Sequence, residues 1–368
     1  MSDSHYWPSM TDYQEALQSP TLAFSSSELR EGAPVENKLG LPRPICGTFA
    51  SVYELVNGPR RWAVKCFLRN TPDLHQRYVK ISNHLRKCRR LGYFVAFEYM
   101  AKAIRVRGEL FPLVKMEWIE GRQLNEFVEE NLSSPSVLAK LGKHWDKLVA
   151  DLRSANIAHG DLQHGNVLVR SNGAIRLIDY DGMWVPALEG QGSNETGHPN
   201  FQNPRRTQHD FHLGIDDFSA AVIQIAITAL SRDKSLWEKY NNGDNLLFRR
   251  KDFLDIQNSP LITDLRAIDD DAIRDKLDFL IDACTSRKKQ RASRRRTSQG
   301  KATSDQQVVK EASASTEMPQ KKEAVLASSS WLSDHVENYG TATTESSPQS
   351  PVGLQKFFAW LFQRKRAT

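Results

Sequence analysis

An abrupt change in composition near residue 286 decides how much of this 368-residue chain can build a hydrophobic core. Residues 286–368 contain 15 Lys and Arg against 7 Asp and Glu, whereas residues 1–285 contain 35 against 37. Seven of the basic residues fall within residues 287–296. Residues 297–330 are rich in Ser, Thr, Ala, Lys and Gln without apolar periodicity, so burial cannot offset their ordering entropy. We therefore predict a folded body followed by a disordered linker over residues 286–350.

The composition of the body excludes several classes of protein. The formal charge of +6 belongs to the tail, so a nucleic-acid-binding fold is not implied. Four widely spaced cysteines without a C-x-x-C pair argue against a disulfide framework or a structural zinc site. No apolar run approaches the ~20 residues of a spanning helix, and the polar N-terminal residues lack a signal-peptide core. We expect a cytoplasmic protein.

The hydrophobic pattern of the body predicts strands first and helices afterwards. Strands at residues 50–55 and 61–67 flank the turn Asn57-Gly58-Pro59. The other predicted elements are a helix over 72–86, strands over 94–99 and 110–118, a helix over 137–156, a hairpin of 167–169 with 175–178, and an apolar helix over 218–230. This order predicts a small sheet with one helix, followed by a mainly helical half.

Polar residues with distinctive spacing surround the second hairpin. Residues 159–166 read H-G-D-L-Q-H-G-N, and residues 177–182 read L-I-D-Y-D-G. These segments resemble the catalytic loop H-R-D-L-x-x-x-N and the D-F-G motif of the protein-kinase superfamily. The resemblance implies that Asp161 accepts the proton of the substrate hydroxyl, while Asn166 and Asp179 hold Mg²⁺ through oxygen atoms. The alternative is a polar turn before a strand, with incidental acidic residues.

Upstream segments follow the same family order. Residues 62–65, W-A-V-K, resemble the kinase V-A-I-K strand, so Lys65 would contact the α- and β-phosphates of ATP. Residues 47–53 resemble the second half of a phosphate-binding loop, and residues 113–118 resemble the strand and hinge that hold adenine. The nucleotide-binding residues that this resemblance implies are Gly47, Thr48, Phe49, Ala50, Val52, Ala63, Lys65, Met116, Glu117 and Trp118.

Segments downstream of residue 182 make the resemblance specific to one group within the kinase superfamily. Residues 197–204 resemble the end of an activation segment, and Asp217 resembles the aspartate that braces the catalytic loop from a buried helix. The combination looks like a bacterial group of eukaryotic-like Ser/Thr kinases of the His-Gly-Asp type. That group implies a metal-dependent phosphatase and a von Willebrand-type protein as partners. A nearby cluster of His and Asp residues is interpreted as a solvated loop, in which Asp217 is structural, and a metal site is the alternative. Its members are His209, Asp210, His212, Asp216 and Asp217.

Several positions depart from the kinase pattern. Only Gly47 remains of three loop glycines, and the helix after Lys65 contains no glutamate to pair with that lysine. Asp73 or Gln76 is the best substitute on that helix. Asp181 is interpreted as a turn residue, and the alternative is a third acidic group near Mg²⁺. Gly160 replaces the catalytic-loop arginine, a feature also typical of small-molecule kinases. In addition, Gln163 stands where Ser/Thr kinases commonly have a lysine, and Arg205 stands where the A-P-E motif has its glutamate.

We therefore predict an α+β, two-lobed protein-kinase-like fold with a small β-rich N-lobe containing one helix, a larger helical C-lobe and a disordered tail. The predicted units are an N-terminal extension (1–39), the N-lobe (40–118), the C-lobe (119–285), the linker (286–350) and a short amphipathic segment (351–368). The expected activity is ATP- and Mg²⁺-dependent phosphorylation of Ser or Thr in proteins. The alternatives are a nucleotide-binding pseudokinase scaffold and a small-molecule phosphotransferase of the aminoglycoside or choline type.

The tail adds two expectations to this function. The sequence Arg295-Arg296-Thr297-Ser298 has the arginine-plus-hydroxyl pattern of a phosphorylation site, so the tail is a candidate substrate of the chain itself. The C-terminal segment has apolar residues at helical spacing and ends in basic residues, so weak membrane-surface contact, peptide docking and packing against the body are its alternatives. Its apolar residues are Leu354, Phe357, Phe358, Trp360, Leu361 and Phe362.

Overall fold

The computed structural model describes residues 6–47 and 49–286, and its first half is dominated by an antiparallel sheet. The strands of this sheet are β1 (Ala33–Pro34), β2 (Pro44–Cys46), β3 (Ala50–Asn57), β4 (Arg60–Phe67), β5 (Phe97–Val106) and β6 (Glu109–Glu117). Their order is β1-β3-β4-β6-β5, and β2 also pairs with β3. A second, three-stranded sheet has the order β7-β8-β9, formed by β7 (Arg122–Gln123), β8 (Val167–Val169) and β9 (Ile175–Leu177).

Helices lie before, within and mainly after the large sheet. The helices are α1 (Met10–Ala16), α2 (Pro20–Ala23), α3 (Ser27–Arg30), α4 (Leu74–Lys87), α5 (Leu124–Glu130), α6 (Pro135–Ser154), α7 (Asp217–Arg232), α8 (Ser235–Tyr240), α9 (Arg250–Leu254), α10 (Pro260–Ala267) and α11 (Asp271–Thr285). The predicted mixed α+β class is therefore confirmed, and the architecture is compatible with a kinase-like fold. Among the described residues between 40 and 118, α4 is the one α-helix, as predicted.

A tight hairpin sets the register that places Lys65. Gly58 adopts φ +55°, a backbone conformation that favours glycine, between the paired residues Asn57 and Arg60. From this turn the register continues to Lys65, which lies opposite Val52 on β3. Because β4 is also paired to β6, Lys65 is held on a central strand.

The N-terminal residues pack against the large sheet. The indole of Trp7 donates a hydrogen bond to the Phe67 carbonyl at 2.6 Å, and the Tyr13 hydroxyl donates to the same oxygen at 2.9 Å. Helix α1 begins at a capping box in which Ser9 and Asp12 satisfy each other's backbone amides. These contacts join the predicted extension to the end of β4.

The helical half is organised around α7, which is apolar on all sides. Residues Leu213–Arg232 have a mean hydropathy of 1.5 and enough length to cross a membrane, but 78% of this stretch is buried inside the protein. Burial of this kind is typical of a core helix. The indole of Trp145 on α6 donates a hydrogen bond to the Ala220 carbonyl at 3.1 Å, which fixes α6 against α7.

Three predictions concern parts of the chain outside the described residues. The basic run and Ser/Thr-rich linker from residue 287 onward, the C-terminal segment, and the phosphate-loop residue Thr48 all lie there. Their predicted roles stay predictions.

Candidate active site

The loop after α6 contains Asp161, whose carboxylate is held at both oxygens. The His198 amide donates to Asp161 Oδ1 at 2.7 Å, and the Asn166 side-chain amide donates to Asp161 Oδ2 at 3.0 Å. Burial raises the pKa of Asp161, although the His198 amide opposes this effect. The structure therefore brings Asp161 and Asn166 together and orients the carboxylate.

A buried aspartate braces this loop, but it is not the predicted one. Asp216 accepts hydrogen bonds from the amides of His159 and Gly160, the latter at 2.8 Å. Asp217, to which the sequence interpretation gave this role, instead lies at the surface and contacts Arg153 at 3.2 Å. The prediction was wrong by one residue, because both aspartates precede the apolar helix and only packing selects between them.

The glycine that replaces the expected arginine has a steric explanation. Gly160 adopts φ +80°, and a Cβ atom there would overlap the carbonyl oxygen of Gly182. Arg206 instead reaches the loop from the far side and donates to the Gly160 carbonyl at 2.6 Å. Glycine at this position is therefore required by the close approach of two backbone segments.

Asp179 follows β9 and faces Lys65. Its backbone has φ +66°, and its carboxylate lies 2.7 Å from the Lys65 ammonium. Burial alone would raise the pKa of Asp179, but Lys65 holds it below its usual value. Residues from β4 and from the end of β9, 114 positions apart, thus meet at one point.

The second partner of Lys65 was not foreseen. Asp181 Oδ2 lies 2.7 Å from the Lys65 ammonium, and the Tyr78 hydroxyl on α4 donates to the other oxygen of Asp181. The predicted substitutes, Asp73 and Gln76, are both exposed at the start of α4. Asp181 does lie in a turn, as interpreted, but its contact with Lys65 was not predicted, and the choice of Asp73 or Gln76 as the partner of Lys65 was wrong. Burial by itself would lower the pKa of Lys65, but the two aspartates raise it above its usual value.

The predicted nucleotide-binding residues lie on neighbouring strands. Val52 is opposite Lys65, and Ala63 is opposite Met116. Gly47 closes the turn between β2 and β3 by donating its amide to the Ala50 carbonyl at 2.9 Å. The structure brings these six residues to one region of the large sheet.

Three other predicted contacts lie at the margins of this region. The Phe49 ring is covered by the guanidinium of Arg69, 3.5 Å from the ring centroid. The amides of Glu117 and Trp118 are occupied within the sheet, where they donate to the carbonyls of Ala96 and Arg61 at 3.1 and 3.0 Å. The backbone at the end of β6 is therefore fixed by its neighbours.

The residues predicted to hold Mg²⁺ have suitable donor atoms. Asn166 directs its amide nitrogen to the main-chain and side-chain oxygens of Asp161, at 2.9 and 3.0 Å, which turns its own oxygen away from Asp161. The Asp179 side chain is 42% exposed and contributes carboxylate oxygens. Hard oxygen donors of this kind fit magnesium.

The alternative metal cluster does not assemble. Asp210 accepts from the amide and hydroxyl of Thr207, and His212 accepts from the Gly214 amide at 3.1 Å. Within the part of the chain that the structure describes, no three His, Cys, Asp or Glu side chains are placed to hold a metal.

Two residues near Asp161 were given no role by the sequence interpretation: Glu195 was not singled out, and His198 was noted only as part of the activation-segment resemblance of residues 197–204. An oxygen of the Glu195 carboxyl would lie only 2.7 Å from a Cβ placed on Gly182, so this side chain covers that glycine. Burial, followed by repulsion from three neighbouring aspartates, raises the pKa of Glu195 well above its usual value. The His198 ring lies 2.9 Å from an Asp244 oxygen, which fixes the segment that holds Asp161. No local pattern distinguishes Glu195, and the local pattern around His198 does not predict its contacts with Asp161 and Asp244, which lie in distant parts of the chain.

Comparisons with known proteins give limited similarity. The chain matches no protein-family model. A stretch of 109 residues is 26% identical to the probable serine/threonine-protein kinase mkcE of Dictyostelium discoideum, covering 29% of this chain and 15% of that protein. A stretch of 116 residues is 24% identical to the probable serine/threonine-protein kinase mkcC of the same organism, covering 31% and 13%. The matches thus span a small fraction of both curated relatives, and they support a protein kinase in general terms, with the ATP and Mg²⁺ use that this implies.

Proposed function

We propose that this chain is an ATP-dependent protein kinase with a two-lobed architecture, which phosphorylates Ser or Thr residues of proteins, its own tail included. One observation carries the proposal. Lys65 contacts Asp179 at 2.7 Å, while Asp161 and Asn166 of a single loop contact each other at 3.0 Å. A lysine for phosphate oxygens, hard oxygen donors for a cation and a carboxylate for a proton are the groups that phosphoryl transfer requires.

The proposed mechanism assigns one role to each group. Asp161 takes the hydroxyl proton as the hydroxyl oxygen forms its bond to the γ-phosphorus, and the bond from that phosphorus to the leaving ADP oxygen breaks. Lys65 binds phosphate oxygens through its ammonium group. Mg²⁺, when bound through Asn166 and Asp179, neutralises charge on the phosphates. The raised pKa of Asp161 suits a group that must accept a proton.

The contacts weaken the arguments for both alternatives. The small-molecule phosphotransferase was motivated by Gly160, but the approach of Gly182 accounts for that glycine without reference to substrate. The pseudokinase was motivated by the missing helix glutamate and the missing loop glycines; Lys65 has Asp181 as a partner at 2.7 Å, which answers the first of these two arguments. The bacterial group and the two protein partners remain proposals that rest on the sequence resemblance, and the cytoplasmic location remains a proposal that rests on composition.

Incubation with γ-labelled ATP and Mg²⁺ tests the function. We expect labelling of wild-type protein and of added protein substrates, with a loss of about 100-fold or more in Asp161→Ala. Asp264→Ala, at the surface, is the matched control and should label normally. Undiminished labelling of Asp161→Ala would overturn the kinase proposal.

The distribution of the label identifies the acceptor. We expect phosphate on the hydroxyls beside the basic run, which are Ser293, Thr297 and Ser298. Label that enters only a small-molecule acceptor would favour the phosphotransferase alternative. Nucleotide binding without any transfer would favour the pseudokinase.

A further inference from the structure

A lysine, an aspartate and a tyrosine from three separate elements meet in the candidate site. Lys65 of β4 contacts Asp181 at 2.7 Å, and Tyr78 of α4 donates its hydroxyl to the same carboxylate. We call Lys65, Asp181 and Tyr78 the buried trio, because Lys65 is 8% exposed and Tyr78 is 2% exposed. The tyrosine connects the lysine to α4 through the aspartate.

Tyr78 is fixed by its packing. Its ring contacts Phe97 edge to face at a centroid distance of 5.5 Å and stacks on Tyr99 at 5.5 Å. Ile81 and Leu85, on the same face of α4, are also buried. A hydroxyl at the end of such a ring has little freedom, so it gives Asp181 a defined position.

The neighbouring residue on α4 makes a second connection. Arg77 donates to the Gly192 carbonyl, and its guanidinium lies 5.0 Å from the centre of the Phe211 ring. Consecutive residues of α4 therefore contact the segment that follows Asp179 at two places. The Tyr78 contact thus links α4 to Asp181, and the Arg77 contact links the same helix to Gly192, farther along that segment.

Lys65 has two carboxylate partners, and they are not equivalent in the proposed reaction. Asp179 is the residue that would hold Mg²⁺, so its contact with Lys65 is shared with that role. Asp181 has no such second role, and it is bonded to Tyr78 on the opposite oxygen. Asp181 is therefore the partner that can remain with Lys65 when Asp179 binds the cation.

Resting on the proposed function, we propose that Asp181 and Tyr78 are positioning residues that orient Lys65 toward the phosphates of ATP. In the kinase pattern a single carboxylate on the helix holds the lysine; here Asp181 and Tyr78, from two parts of the chain, hold Lys65 together. Asp181 supplies the negative charge, and Tyr78 supplies the connection to the helix. Movement of α4 would then move the Tyr78 hydroxyl, Asp181 and Lys65 in turn, and so change the affinity for the nucleotide.

The affinity for ATP tests this assignment in the full-length chain. We expect the Kd and KM for ATP to rise about tenfold in Tyr78→Phe, which removes one hydroxyl bonded to a charged group. A larger increase is expected in Asp181→Asn, and Asp181→Glu, which keeps the charge, should lie closer to wild type than Asp181→Asn does. The matched controls are Tyr99→Phe, within the same aromatic cluster, and Asp264→Asn, in a surface contact between lysine and aspartate.

The separation of KM from kcat excludes a merely structural effect. A variant that only unfolds in part loses kcat in proportion to the folded fraction and keeps its KM for ATP. An active wild type whose Tyr78→Phe and Asp181→Asn variants bind ATP like the two controls would overturn the assignment and leave the kinase proposal intact. A wild type that binds ATP without transferring phosphate, and whose variants bind it more weakly, would overturn the kinase proposal and support the assignment.

Discussion

Two groups of side chains in this protein have the same composition and nearly the same contacts, but they lie in different surroundings. One is the buried trio. The other, which we call the exposed trio after its ion pair, joins Lys239 to Asp264 at 2.5 Å. The hydroxyl of Tyr240, a residue that is itself buried, donates to the same carboxylate oxygen at 2.6 Å. The lysine side chain is 11% exposed in the buried trio and 58% exposed in the exposed trio.

The comparison shows that the distance between two charges does not by itself measure how much an ion pair contributes to stability. Water and salt screen a pair at the surface, and two mobile side chains lose entropy when they meet. In the interior, each charge depends on its partner, because removal of one partner leaves the other desolvated and uncompensated. The buried trio should therefore control both folding and ligand binding, whereas the exposed trio should control neither.

The largest expected difference concerns the two lysines. Lys65→Met should lower the free energy of unfolding by about 3–5 kcal/mol, because Asp179 and Asp181 lose their common cation. Lys239→Met should leave the midpoint of urea unfolding unchanged within error. Equal urea midpoints for the two variants would contradict this account of the trios.

The adjacent residues Asp216, which is buried, and Asp217, which is partly exposed, extend the comparison of buried and exposed groups to the dependence of stability on pH. Burial raises the pKa of Asp216 to about 6, whereas an aspartate in the unfolded chain titrates near 3.9. Between these values the folded protein keeps a proton that the unfolded chain has lost, so this group destabilises the fold as the pH rises from about 4 to about 6. The decrease in unfolding free energy from this group is roughly 3 kcal/mol in total.

Two substitutions isolate the contribution of Asp216. Asp216→Asn cannot titrate, so the difference in unfolding free energy between wild type and this variant should change across that pH window. Asp217→Asn removes a neighbouring charge that helps to raise the pKa of Asp216, so this variant should keep the direction of the wild-type pH dependence and move it toward lower pH. Urea unfolding at half-unit pH intervals measures both, and a difference between wild type and Asp216→Asn that is independent of pH would refute the argument.

Features carried by short stretches of sequence were predictable. The hairpin of β3 and β4 follows from alternating residues around an Asn-Gly turn, and the buried α7 follows from a continuous apolar stretch. The pairing of Asp161 with Asn166 belongs to the same class, because the two residues are five positions apart within one loop.

The side-chain partners that complete the candidate site were not predictable from local sequence. The contact of Tyr78 with Asp181 joins residues 103 positions apart, and any of several polar residues on α4 fits the sequence pattern equally well. Only the packing of α4 on the sheet turns Tyr78 inward and leaves Gln76 exposed. The choice between Asp216 and Asp217 depends in the same way on which side chain faces the loop. The body could therefore be assigned to a mixed α+β class from sequence, whereas the geometry around Lys65 required coordinates.

The smallest expected effect concerns the exposed trio itself. A double-mutant cycle of Lys239→Met and Asp264→Asn should show a coupling that shifts the melting temperature by about 2 °C or less at low salt. At 1 M salt, where charges are screened beyond about 3 Å, this coupling should disappear. A corresponding cycle of Lys65→Met and Asp181→Asn should retain more of its coupling at 1 M salt, because these two side chains are only 11% and 16% exposed and salt screens buried pairs less. Equal salt sensitivity in the two cycles would mean that burial does not strengthen the ion pair of the buried trio. Asp181 would then not be a special partner of Lys65.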